Sequence, residues 1–500
     1  MRTLILGVLL LSLGTQSLAQ SIALPDMGDP SQQVLGPQDE RRIGQRILMK
    51  LQDAGLVLED PLASEYLASL GSRLALHADG AGSPLRFFWV RDPELNAFAL
   101  PGGFIGVHTG LMLETRSESE LAGVVAHEIA HVVQHHITRA YADRQTIGLP
   151  TMAAMLAGIA LAAAGGGGGQ IGQAVAVGSM AASAQRIVNF TRANEQEADR
   201  VGTDLLIRAG FEPNGMASFF GRLENLSGSA AQIPEFLRTH PLALNRAADT
   251  ENRSLRTRPT GRTPGDELYY RYMRARIAAL SVATPAQAVR DHERRTAEGG
   301  TDEADRYGYV LALERAGRLD DAARELAKLP RPAAAALALR LEEARLALLT
   351  GNTARAWSTY EALRRAYGND YVLTLSYGEA LVTRGDPRLA IRLLDEQLRR
   401  RPESAELQEL YARAAEQTGD IAGKHLAMSQ FYELSGDVQA AFDQAEIGLR
   451  APNASGQQLA QLRQRAQRLR ELNEYEKASR LPPAETRPRC RTPLRAPPTA

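Results

Sequence analysis

The chain has 500 residues, enough for two or three domains with a substantial core. Its 58 basic and 58 acidic residues balance, so it carries no electrostatic footprint for nucleic acid. A single cysteine, Cys490, excludes an internal disulfide and leaves stability to the core.

At the N-terminus Arg2 precedes an apolar run, Leu4 to Leu13, that is short for a membrane span. Ser17-Leu18-Ala19 then offers small residues where a signal peptidase reads, so residues 1–19 are read as a signal peptide cleaved after Ala19. An uncleaved anchor is the alternative. Residues 37–76 predict two amphipathic helices broken near Glu59-Asp60-Pro61. Arg86–Val90 predicts a strand, and Asn96–Gly103 with Phe104–His108 predicts further strand around a glycine bend. An edge strand here could hold an extended peptide by main-chain hydrogen bonds; an ordinary core hairpin is the other reading. A lone histidine such as His108 is read as structural.

Next comes His127-Glu128-Ile129-Ala130-His131, inside an apolar-periodic run from Leu121 to Val133 and behind a capping-box pattern, Ser117-x-x-Glu120. Four residues make about one helical turn, so both imidazoles share a face and can reach one ion. Zinc suits them, and Glu128 falls where a carboxylate can take a proton from a water at the metal. His135 and His136 are read as extending this helix, as helix-end or supporting residues. From Gln145 to Gln185 there is no charged residue, and Gly165–Gly169 interrupts the run. Alanine and glycine insert weakly into lipid, so residues 147–184 are read as an apolar flap beside the site, with peripheral membrane contact as the alternative.

A catalytic zinc site with two histidines needs a third protein ligand and an open position. Glu195, in Asn194-Glu195-Gln196-Glu197-Ala198-Asp199, is the candidate, with Glu197 competing. Asp199, one turn on, is placed to accept a hydrogen bond from a ligand histidine. Thr239-His240-Pro241 stands near Arg246. His240 could stabilise the oxyanion of peptide hydrolysis, or occupy the open zinc position and silence the enzyme.

Residues 253–265 mark a boundary by composition, and beyond them the chain repeats. Gly317, Gly351, Gly385 and Gly419 recur every 34 residues, with Ala322, Ala356 and Ala390 five residues after the first three. That is the tetratricopeptide pattern. Lys424 breaks the alanine rule, and Gly436-Asp437 with Ala441 resumes the turn pattern out of phase. Together the segments predict an α+β zincin-like metallopeptidase domain, residues 20–262, followed by an all-α tetratricopeptide-repeat solenoid, residues 263–480, and a disordered tail, 481–500.

The ordered set Asn96–Gly103, H-E-I-A-H at 127–131, E-Q-E-A-D at 195–199 and His240-Pro241 resembles the zinc metallopeptidase family of HtpX and the CAAX prenyl proteases. The leader and the repeats point to its β-barrel assembly-enhancing branch. The resemblance implies a periplasmic enzyme with one Zn2+ per chain, held by His127, His131 and Glu195, with Glu128 as the catalytic carboxylate. Asp199 in such enzymes is sometimes given a proton-donor role; helix geometry favours its orienting a ligand. The resemblance further implies unfolded or stalled outer-membrane proteins as substrates and contact with the β-barrel assembly machinery through the repeats. The rival reading is a repeat-based chaperone or scaffold with a latent protease site.

Overall fold

The computed structural model describes residues 36–78, 84–142, 192–229, 236–237, 240, 267–297 and 302–478. The expected signal peptide, the segment 147–184, Arg246, the 262–263 boundary and the 481–500 tail lie outside these residues.

Two helices open the described chain, α1 (Pro37–Asp53) and α2 (Pro61–Ala75). Each begins on proline, whose fixed φ and missing N–H suit a first helical turn. Asp60 caps α2, accepting the Ala63 N–H at 2.9 Å. The sheet has strands β1 (Arg86–Val90), β2 (Ala97–Leu100) and β3 (Phe104–His108) in the order β1-β3-β2. β1 runs parallel to β3, and β2 antiparallel to it. Gly102 and Gly103, at φ 74° and 82°, make the β2–β3 turn. A Cβ on Gly102 would lie 2.4 Å from the Arg41 Cα, so only glycine fits this left-handed, crowded position. Val57 bridges to Val90 and covers the outside of β1. Among the described residues, β2 is then the strand left at the open side of the sheet.

After α3 (Thr109–Glu114) comes α4 (Glu118–Val133), which carries the histidine pair. Every α4 residue except Val132 is buried, as expected of a helix that is core on all sides. Ser117 caps it, accepting the Glu120 N–H at 3.2 Å. The second arm of the expected capping box differs: the Glu120 carboxylate accepts the Arg116 N–H at 2.7 Å. Ser218 and Arg222 also bind that carboxylate, drawing it off the helix end. The helix does not continue through His135 and His136. It stops at Val133, and His135 takes a left-handed backbone, φ 52°, before α5 (His136–Ala142) starts in a new direction.

α6 (Arg192–Arg208) ends at Gly210, φ 83°, where the Phe211 N–H reaches back to the Leu206 carbonyl at 3.1 Å. α6 and α7 (Gly215–Ser229) both pack on α4. Gly202 permits the approach of α6: a Cβ there would lie 3.0 Å from the His127 backbone nitrogen.

The rest of the described chain is helical: α8 (Glu267–Ser281), α9 (Pro285–Ala297), α10 (Glu303–Arg315), α11 (Leu319–Ala327), α12 (Ala336–Leu349), α13 (Thr353–Tyr367), α14 (Tyr371–Arg384), α15 (Pro387–Arg400), α16 (Ala405–Thr418), α17 (Ile421–Leu434), α18 (Val438–Gly448) and α19 (Gly456–Ala478). Gly317, Gly351 and Gly419 sit at positive φ between α10 and α11, α12 and α13, and α16 and α17. Gly385, between α14 and α15, has φ −127°. Ala322, Ala356 and Ala390 are fully buried. Gly436 explains the phase change: it lies between α17 and α18, where one helix pair passes to the next, and Asp437 caps the new helix.

The helical array is fastened to the N-terminal half. Arg276 on α8 grips Asp60 with two 2.7 Å hydrogen bonds, donates to the Tyr307 hydroxyl at 2.5 Å, and lies 3.7 Å from Glu342. All four side chains are buried. Arg401 grips Glu65 at 2.8 and 2.7 Å nearer the surface. One continuous apolar core runs from Leu58 to Ala414. No helix among the described residues is long and apolar enough to cross a membrane.

Candidate metal centre

His127 and His131 stand one turn apart on α4, and their Nε2 atoms are 3.0 Å from each other. α6 brings Glu195 to them, 3.5 Å from each Nε2. His240 completes the group: its Nδ1 is 3.1 Å from Glu195 Oε1 and 3.3 Å from His127 Nε2. One donor atom from each of the four lies within 4.8 Å of all the others, and all four residues are buried. Glu128 lies beside this group, fully buried, with Oε1 3.5 Å from the remaining His240 nitrogen, Nε2.

His240 is far from the others in sequence but firmly placed. Its N–H donates to the Phe236 carbonyl at 2.8 Å, and the Phe236 N–H donates to the Leu95 carbonyl at 3.0 Å, just before β2. The Phe236 ring stacks on the imidazole, centroids 4.7 Å apart. Phe236 stands one turn before His240, so this contact is local; what the sequence does not mark is the Leu95 carbonyl, far away in the chain, that fixes the turn.

The other candidates fall outside the four. Asp199 lies 3.1 Å from His127 Nδ1, on the far side of that ring from Glu195. Glu197 turns away and meets His136 Nε2 at 3.3 Å. His136 Nδ1 in turn is 2.9 Å from His131 Nδ1. His108 is buried against the Phe98 ring and lies 3.8 Å from Asp92, apart from the group.

The electrostatics favour a cation at this place. Burial opposes charge on His127, yet the Asp199 and Glu195 carboxylates hold its pKa up, at about 9. Burial holds His131 well below the ordinary imidazole value, so it presents a lone pair. Burial raises the Glu195 carboxyl, but His240, His127 and His131 outweigh it and hold the group well below the usual range, ionised. Burial pushes the Glu128 carboxyl up, against the pull of His240 and His127. Imidazole lone pairs and a buried carboxylate converging on one point are the donor set of a divalent transition metal. The residues therefore fit such an ion. Bound, it would supply Lewis acidity to a carbonyl and to a water.

A mainly helical chain with a short sheet, and a buried two-histidine, one-glutamate cluster on adjacent helices, has the build of a metallopeptidase. The sequence pattern of peptidase family M48 matches residues 61–254. The chain is 30% identical over 458 residues to the β-barrel assembly-enhancing protease of Yersinia pestis, covering 90% of this chain and 92% of that protein. It is 35% identical over 305 residues to the protein of the same name from Escherichia coli (strain K12), 61% of this chain and 62% of that one. That second match spans less than two thirds of the relative's length. It is also 30% identical over 196 residues to metalloprotease LoiP of Escherichia coli (strain K12), 39% of this chain and 72% of LoiP. The chain belongs to peptidase family M48.

Proposed function

We propose that this protein is a periplasmic zinc metalloendopeptidase that cuts misassembled outer-membrane proteins and assists their assembly. The observation that carries the reading is the buried group His127, His131, Glu195 and His240 with Glu128 beside it. The names of the similar proteins point to β-barrel proteins as clients. The recurring glycine turns and buried alanines support a tetratricopeptide solenoid that holds them. Residues 20–262 would form the peptidase domain and residues 263–480 the repeats, and cleavage after Ala19 would release the mature chain.

The residues divide the work by position. His127, His131 and Glu195 hold the ion, and Asp199 orients His127 through its second ring nitrogen. β2 lies at the side of the sheet next to α4, where an extended client strand can pair with its main chain. Glu128 takes the proton of the attacking water and returns it to the leaving amine. The exclusion of solvent around its buried carboxyl strengthens both transfers.

His240 sets a resting state in this reading. Its Nδ1 stands within the donor group while its Nε2 faces Glu128, so it fills the place a water needs. That favours a latent protease which opens when a client displaces His240. His240→Ala is expected to raise basal cleavage of an unfolded outer-membrane β-barrel polypeptide, because the fourth position opens. If His240 instead stabilises the oxyanion, the same change lowers turnover by about a hundredfold. Cleavage indistinguishable from wild type would reject both roles.

A further inference from the structure

We infer that His136 and Glu197 form a hydrogen-bonded relay that positions His131. The inference rests on the metal reading above and assigns two residues that reading leaves idle. His131 turns Nε2 toward the donor group, 3.0 Å from His127 and 3.5 Å from Glu195. Its other nitrogen, Nδ1, is 2.9 Å from Nδ1 of His136, and His136 Nε2 is 3.3 Å from Glu197 Oε2.

The protons along this line have one arrangement with neutral rings. A ligating Nε2 keeps its lone pair, so the His131 proton sits on Nδ1. That N–H donates to His136 Nδ1, which must then carry a lone pair. The His136 proton is left on Nε2 and donates to the Glu197 carboxylate. The line therefore orients His131, fixes its tautomer and feeds negative charge toward the ligand. His127 is held differently, by Asp199 directly at 3.1 Å. The two ligand histidines thus have separate anchors on α6, Asp199 for one and Glu197, through an imidazole, for the other.

The backbone is shaped for this contact. In an unbroken helix His136 would project about 140° away from His131 around the axis. The left-handed turn at His135, φ 52°, ends α4 and swings His136 back onto its neighbour. A non-glycine residue in that region is uncommon, and here it accompanies the 2.9 Å contact of His136 with His131. His136 is buried, whereas the Glu197 side chain is about one-third exposed, so the relay runs from the ion toward solvent.

The test is zinc affinity of the full chain, measured by competition with a chromogenic chelator, with no reliance on activity. His136→Ala is expected to raise the zinc dissociation constant by about 10–100-fold. Glu197→Gln, at a partly exposed position that tolerates the change, should raise it less and in the same direction. His136→Gln, whose amide oxygen can accept the same proton, should recover part of the loss. The double variant His136→Ala, Glu197→Gln should bind no more weakly than His136→Ala alone, because the carboxylate acts through the imidazole. Unchanged affinity in both single variants, with zinc bound normally by wild type, would overturn the relay; so would losses that simply add. A wild-type chain that binds no zinc would instead bring down the metal reading, and the relay with it.

Discussion

Replacing Glu128 with Gln is expected to lower peptide hydrolysis by at least about 10²–10⁴-fold while leaving metal binding near wild type. The change is isosteric, and Glu128 stands outside the four-residue donor group, so the site keeps its shape. What is lost is a group that can accept a proton. The carboxyl is fully buried, with His240 Nε2 3.5 Å away. Burial pushes its pKa up, which strengthens it as a base. A steady-state assay on an unfolded polypeptide, paired with elemental analysis, separates the two effects. Activity close to wild type would remove Glu128 from the chemistry; loss of both activity and metal would make its role structural.

The second large effect is on stability. Arg276→Met is expected to destabilise the protein by about 3–5 kcal/mol, because Asp60 would be left buried without the cation that grips it, and Glu342 would keep only Arg345, 3.5 Å away. Burial raises the Asp60 carboxyl, but Arg276 and the capping N–H of Ala63 outweigh it and hold it below the ordinary value. Its contribution is therefore complete above the normal carboxylate range and is lost as pH falls through the lowered folded value. Arg401→Ala, which removes the partly exposed pair with Glu65, is the control and should cost only about 0–1 kcal/mol. Urea unfolding followed by helical circular dichroism measures both. Equal losses in the two variants would mean that the Asp60–Arg276 contact does not fasten the repeats to the N-terminal half.

Much of this arrangement is legible in the sequence where periodicity is local. The helices before and after Asp60, the strands on either side of Gly102-Gly103, and α4 with its serine cap follow from patterns within a dozen residues. The 34-residue glycine spacing foretells the helix pairs, and the irregular step at Gly436 becomes plain once it is seen as a junction between pairs. His127, His131 and Glu195 meet as the spacing on two helices allows. Long-range packing is what the sequence does not display. A continuous α4 through His136 is the natural reading, because no glycine or proline marks a stop at His135, yet its backbone is left-handed and ends the helix. The Phe236 N–H reaching the Leu95 carbonyl and Arg276 reaching Asp60 join segments far apart in the chain, so no window contains either contact.

Whether His127, His131, Glu195 and His240 hold a catalytic metal is tested most directly by elemental analysis of the purified full chain, read together with cleavage of an unfolded polypeptide before and after chelation. The account predicts stoichiometric zinc in wild type, loss of cleavage with the metal, recovery when zinc is restored, and an empty site in His131→Ala. Cleavage that persists in the metal-free chain, or zinc retained in full by His131→Ala, would contradict it.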